Sequence, residues 1–152
     1  MDLWGKGRML EEMKALAKQK DMCVLATVSG GNPHCSLMAY ATDDDCREIY
    51  MVTQKGTKKY KNLIENPSVS LLIDTREEQS ASRPLQAKAL TIAGLFQEID
   101  DERKKRLARA RLLERHPYLT EFIDQTDTEV ICIKATSFLV LNGLKEAHFE
   151  TV

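Results

Sequence analysis

The segment VTQKGTKKYKNLIENPSVSLLID, residues 52–74, decides how this chain folds. It reads as a strand end, a helix and a second strand. Thr57 suits the N-cap, where a hydroxyl accepts a hydrogen bond from a free first-turn amide. Tyr60, Leu63 and Ile64 share one face at helical spacing, and Asn66-Pro67 ends the helix, because proline holds the preceding residue in extended backbone. Lys58 and Lys59 run against this order, since they crowd the first turn just after Lys55. A helix N-terminus already carries about half a unit of positive charge, so lysines there cost tenths of a kcal/mol each. A bound phosphate reverses the sign. The free amides and the dipole form an anion site, and the lysines become charge-assisted donors. Spacing alone also admits a solvated lysine face, which Lys61 supports.

Outward from this segment the pattern is mostly strand. Met9, Leu10, Met13, Leu16 and Ala17 predict an amphipathic helix over about residues 7–20. Met22–Val28 reads as a buried strand, Ser29–Pro33 as a turn, His34–Thr42 as a second strand and Glu48–Thr53 as a third. Val69–Asp74 is the fourth. Arg76–Gln86 is polar and reads as an exposed loop, and Ala87–Ile99 as a long strand with a bend or bulge at Gly94. A basic helix from Asp101 to about Arg115 and the segment HPYLTEFI precede the last strands, Glu129–Leu144. Strands joined by short turns, with helices between groups, indicate an α+β fold with a mostly antiparallel sheet or barrel.

The chain has 152 residues, enough for one domain with a real core. Charged residues are 30% and the net charge is −1, so the molecule as a whole has no electrostatic bias toward nucleic acid or anionic membrane. No apolar run approaches the ~20 residues that span a bilayer. The N-terminus lacks the apolar core of a signal peptide, which leads to an expectation of a cytoplasmic protein. Cys23, Cys35, Cys46 and Cys132 form no CxxC pair and have no histidine at ligand spacing. They read as small, buried or half-buried residues in a reducing compartment, with no metal site.

The helix segment resembles the pyridoxamine 5′-phosphate oxidase-like, FMN-binding split-barrel family. Members place an aromatic or aliphatic residue and a Thr at a strand end, then Gly-Ser-Arg/Lys-Lys opening a helix that ends in Asn-Pro before an apolar strand. Residues 52–74 follow this without a gap. LATVSGGNPHCSLMAYATD (residues 25–43) is similar to the family's first hairpin, and ALTIAG (89–94) and VLNG (140–143) to later strands. The likeness spans roughly residues 8–144 of a single domain, 1–152. It implies a Greek-key split β-barrel with peripheral helices, FMN as cofactor, and a homodimer with two FMN sites across the interface. By this resemblance Lys58 and Lys59 bind the FMN phosphate, with Lys55 in reserve. Thr57 matches the small hydroxyl residue before the basic pair. Val52 and Thr53 touch the ribityl chain and ring, and the strand holding Ser36, Leu37, Met38 and Ala39 lies along the isoalloxazine. Strands near Ser36–Tyr40 are expected at the interface, because SLMAY is apolar for a free surface.

Departures from the family pattern limit the activity. Ser36 stands where members carry a phosphate-binding Arg, and Ala41 where they carry a ring-side Lys. Leu141, Ala147 and Phe149 occupy the positions of the Trp, Arg and His that hold substrate in true pyridoxamine phosphate oxidases. Vitamin B6 oxidation is therefore not the expected activity. The reading is an FMN flavoprotein, an oxidoreductase passing hydride or electrons to a small-molecule substrate or electron donor, with no identifiable catalytic acid or base. The alternatives are a non-catalytic flavin-binding or redox-sensing module and a haem-binding or haem-degrading relative, the latter suggested by His148. His34 and His116 read as surface or structural. The helix Arg103–Arg115, with seven Lys/Arg against one Glu, is a solvated face or a surface for an acidic partner or nucleic acid.

Overall fold

The computed structural model describes residues 3–76, 87–144 and 146–152. The expected loop Arg76–Gln86 lies, beyond Arg76, outside the described residues. Helix α1 (Leu3–Gln19) is followed by β1 (Met22–Ser29), β2 (Asn32–Ala39), β3 (Ala41–Thr42) and β4 (Glu48–Gln54). Then come α2 (Lys58–Glu65), β5 (Ser68–Asp74), β6 (Lys88–Gln97) and α3 (Glu102–Arg115). A short 3₁₀ turn (Pro117–Leu119), α4 (Thr120–Ile123), β7 (Thr128–Asn142) and β8 (Glu146–Thr151) complete the order. The strands pair antiparallel in the order β2-β1-β5-β6-β7-β4-β3, with β8 on β7. The sheet curls into a half-barrel, the α+β split-barrel architecture expected from the sequence.

The curl encloses the main core. Leu25, Ile49, Met51, Leu71, Leu90, Ile92 and Phe138 are fully buried inside it, closed by Met13 and Ala17 of α1 and Leu63 of α2. β4 is buried on both faces. Tyr50 and Val52 point the other way, with Cys132 of β7, into a second cluster against Ala108 and Leu112 of α3 and Ile123 of α4.

The basic helix is a clamp on this second cluster. Lys104 pairs with Glu48, while Lys105 reaches Glu129 at 3.4 Å, Arg109 reaches Asp124 at 2.6 Å and Arg111 reaches Asp44 at 2.8 Å. Arg115 donates to the carbonyls of Lys18 and Gln19 at the end of α1. His116, the buried C-cap of α3, donates from Nε2 to the Tyr40 carbonyl at 2.9 Å.

Three expectations need correction. The strand expected over His34–Thr42 breaks at Tyr40, whose phenol turns into the core and donates to the Ala17 carbonyl at 2.6 Å. Pro33 lies inside β2 and not in the turn, which is tolerated because β2 is an edge strand. Residues after Leu144, expected as an extension, form β8.

The bend at Gly94 is a bulge. The β6–β7 register shifts between Ala93 and Gly94, and Thr136 is the extra residue. A Cβ at Gly94 would lie 2.7 Å from Ile133 Cγ2 and from the Lys134 carbonyl oxygen, so only glycine fits.

Where α3 and α4 do not cover it, the outer sheet face is mixed, with Ser68, Ser70 and Asp74 of β5 among its apolar residues. One cross-strand row runs Leu37–Val24–Leu72–Thr91–Leu139–Phe149, from β2 through β1, β5, β6 and β7 to β8. Its ends, Leu37 and Phe149, are 71% and 61% exposed.

Candidate functional site

Thr57 caps α2 as the sequence implied: its Oγ1 accepts from the Tyr60 amide at 3.2 Å and donates to the Gln54 carbonyl at 2.9 Å. The amides of Lys58 and Lys59 have no acceptor among the described residues. The inner face of α2 differs from expectation. Leu63 is buried, but its neighbour there is Asn62, which donates to Thr27 Oγ1 at 3.2 Å, while Ile64 is 51% exposed. At about 100° per residue, Asn62 and Leu63 bracket Lys59 on the helix, so the inward face carries Lys59 and turns Ile64 away. The periodicity of apolar residues misplaced this face because Thr27 supplies a buried polar partner.

This orientation places Lys59 in a cleft of about 210 Å³ where β2, β4, α2 and α4 meet. The cleft is lined by Leu37, Met38 and Ala39, by Val52, Thr53 and Gln54, by Thr57 and Lys59, and by Leu119 and Phe122. Seven of the residues singled out from the sequence thus converge: Leu37, Met38, Ala39, Val52, Thr53, Thr57 and Lys59. Thr53 is buried, and its hydroxyl lies 3.5 Å from that of Thr57. Leu119 and Phe122 went unrecognised: their spacing of one helical turn in HPYLTEFI marks a shared apolar face but not the cleft that it covers.

The other three singled-out residues lie elsewhere. Ser36 pairs with Leu25 in register and does not line the cleft. Lys55 is paired with Glu129 at 3.5 Å. Lys58 borders a second, larger hollow of about 780 Å³ on the far flank of α2, with Lys55, Gly56, Lys61, Ile64 and Glu65. Thr57 lines both.

Lys59 is the electrostatic centre of the cleft. Its ammonium donates to the Met38 sulfur at 3.1 Å, and no carboxylate pairs with it among the described residues. Burial pulls its pKa below the usual lysine value. A half-buried cation whose one partner is a weak acceptor is a site prepared for an anion. The remaining lining is largely apolar, with hydroxyl groups only from Thr53 and Thr57, and suits the face of a planar ring. Ligand pockets usually measure ~300–1,000 Å³, so this cleft is only part of one.

Leu141, Ala147 and Phe149, which the resemblance matched to substrate-holding residues, do not line this cleft. Leu141 faces Ala147 in register and Phe149 faces Leu139, all at the β7–β8 edge. Ala41 is buried against α3. His148 stands opposite Val140 on β8, and His34 opposite Thr27 on β2. Cys23 and Cys132 are buried, with thiol pKa values pushed up to about 12 by desolvation, so both stay protonated. Cys46 is also buried, and Cys35 alone of the four is exposed. A further cavity of about 300 Å³ lies under α1, lined in part by Met13, Leu16 and Val140, and holds none of the singled-out residues. No described helix is long and apolar enough to cross a membrane.

The family model described as pyridoxamine 5′-phosphate oxidase matches residues 9–141. Among curated proteins none matches the chain. Several solved structures share the fold. A heme binding protein from Mycobacterium smegmatis superposes with a TM-score of 0.83 at 23% identity, over 93% of this chain and 57% of that one. The chain thus spans little more than half of that protein. HutZ, the heme storage protein from Vibrio cholerae, gives 0.69 at 19% identity, over 93% and 92% of the two chains. A FAD-binding protein from Mesorhizobium loti gives 0.69 at 20% identity, over 86% and 90%.

Proposed function

The chain belongs to the pyridoxamine 5′-phosphate oxidase family, and from that premise we propose that it is a homodimeric FMN-binding oxidoreductase acting on a small-molecule substrate or electron donor. One observation carries this reading: Lys59, half-buried, reaches into the cleft built from the expected residues and meets only a thioether there. The donor set fits a phosphate. Lys59 approaches from the cleft, Lys58 from the other side of Thr57, and the free first-turn amides lie between them. Val52, Thr53 and the backbone of Leu37–Ala39 would flank the ribityl chain and ring. Bound there, the flavin would supply hydride or electron transfer, while the chain supplies binding, orientation and exclusion of water.

The dimer rests on the outer sheet face. The row from Leu37 to Phe149 is apolar at five of its six positions, and its exposed ends mark a surface suited to burial against another copy. Leu37 belongs both to this face and to the cleft. A second subunit on the face would therefore supply the wall that the cleft lacks.

Two neighbours are named for haem and one for FAD. The absorbance spectrum of the purified protein decides between these chemistries. A flavin band near neutral pH supports the proposal, a Soret band favours the haem reading, and turnover with reduced nicotinamide separates an enzyme from a flavin carrier.

A further inference from the structure

The hollow on the far flank of α2 has a polarity that the flavin cleft does not explain. On the helix, Lys58, Lys61 and Glu65 share one face, about 120° or more from Leu63. They look across the hollow toward Ser29 and Asn32 at the β1–β2 turn, with Lys55 and Gly56 at its upper end. Among the described residues, no carboxylate pairs with Lys58 or Lys61; Lys55 is held by Glu129. The acidic end is Glu65, about 10 Å along the axis from Lys58. One of its carboxylate oxygens accepts from Ser29 Oγ, which leaves the other open. Beside Glu65, at this same end, Ile64 exposes half of its surface at the rim, although its helix has an apolar core available.

A cationic end and, about 10 Å away, a carboxylate beside an apolar shelf match one ligand chemistry, since a ribose and its purine follow the phosphates in that order. Phosphates meet lysines as charge-assisted acceptors. A carboxylate accepts hydrogen bonds from ribose hydroxyls and repels a 2′-phosphate. An exposed aliphatic side chain offers a surface to a purine. Resting on the flavin reading of the adjoining cleft, the geometry points to an adenosine-diphosphate subsite in this hollow, with an unphosphorylated ribose 2′-hydroxyl. Thr57 lines both cavities, so the pyrophosphate of FAD would pass where they adjoin, while a separate dinucleotide would keep its phosphates in the hollow on Lys61, clear of the FMN phosphate. Two sources carry this moiety: the adenylate half of FAD, joined to a flavin in the cleft, or a separate nicotinamide adenine dinucleotide.

The test uses ADP-ribose as probe, by calorimetry on the full-length protein, both free of flavin and loaded with FMN. The wild type is expected to bind ADP-ribose at least ~10-fold more tightly than its 2′-phosphorylated counterpart. Lys61→Ala should weaken ADP-ribose by ~10-fold, the loss of one charge-assisted contact, and leave FMN affinity within about twofold. Ile64→Ser should weaken it without touching FMN. Both side chains are exposed, so neither variant should threaten the fold. If FAD binds more tightly than FMN and Lys61→Ala removes the advantage, the adenylate belongs to the flavin. If FAD has no advantage but ADP-ribose binds the FMN-loaded protein, it belongs to a separate dinucleotide. Should neither flavin bind while ADP-ribose does, and Lys61→Ala weakens it, the flavin reading fails and the subsite stands. Absence of ADP-ribose binding together with equal FMN and FAD affinities overturns the inference, as does ADP-ribose binding that Lys61→Ala leaves unchanged.

Discussion

The ammonium of Lys59 lies 3.1 Å from the thioether sulfur of Met38. A thioether is a weak acceptor, so this cation is under-satisfied until an anion arrives. Replacing both Lys58 and Lys59 by Ala should weaken FMN binding by about 2–4 kcal/mol, measured by quenching of flavin fluorescence. Unchanged affinity in a folded double variant would sink the assignment. Lys59→Met should act oppositely on the flavin-free protein and raise its melting temperature by about 1 °C, the shift that a few tenths of a kcal/mol produces. The effect is kept small because the side chain is still partly in water.

Leu37 and Phe149, at the two ends of one cross-strand row, should govern association. Sedimentation at low micromolar concentration is expected to give about twice the chain mass of 17.3 kDa. Leu37→Lys combined with Phe149→Lys should yield a folded monomer with an unchanged far-ultraviolet spectrum and at least ~10-fold weaker flavin binding, since one wall of the site departs. A wild-type monomer that retains flavin rules the dimer out.

Glu48 ties α3 to the sheet. Burial pushes its carboxyl up, but hydrogen bonds from Lys104 and the Cys132 thiol outweigh this, and the net shift is downward from 4.5. A carboxylate with a depressed folded pKa stabilises the protein above its unfolded value, and that stability is lost as pH falls through the folded value. Unfolding midpoints should therefore decline below about pH 4.5. Glu48→Gln should cost about 1–2 kcal/mol at neutral pH and flatten that decline, with denaturant melts from pH 3 to 7 as the measurement. An acid limb as steep in the variant as in the wild type would place the sensitivity elsewhere.

Leu141, Ala147 and Phe149 offer no cation to a phosphorylated substrate. Losing such a contact costs several kcal/mol of transition-state binding. The FMN-loaded protein should oxidise pyridoxamine 5′-phosphate at least ~1000-fold less efficiently than a family oxidase that has the clamp, about 4 kcal/mol. Oxygen-dependent formation of pyridoxal phosphate, followed by absorbance, is the assay. Brisk turnover would mean that other residues supply the clamp.

The elements that follow from local chemistry were readable in advance. Thr57 as cap, Asn66-Pro67 as stop and Gly94 as bend each depend on neighbours a few residues away. What escaped depends on partners distant in the chain. Ile64 lost the inner face of α2 to Asn62 because Thr27, 35 residues earlier, presents a hydroxyl there. The charges of Arg103–Arg115 looked like a free surface, yet Lys104, Lys105, Arg109 and Arg111 each have a carboxylate partner outside the helix. Tyr40 looked like part of a continuous strand, but His116 holds its carbonyl from across the fold. The cleft was legible through its strand and helix residues, and its wall at Leu119 and Phe122 was not, because only the fold brings α4 to that edge.

The extra residue at Thr136 gives chain length a meaning of its own in β7. Before it, Ile131, Ile133 and Ala135 face the core; after it, Phe138 and Val140 do, so inward positions change from odd to even. Deleting one residue here would alter no side chain's chemistry. It would rotate the remaining strand by half a turn, bringing Leu139 and Leu141 inward and pushing Phe138 and Val140 out, and β8 would lose its partners in register. The apolar strip on the outer face and the interior packing are thus tied to one counting step. Insertions and deletions, tolerated in the loops, should be absent from this strand in any functioning descendant unless they come in compensating pairs.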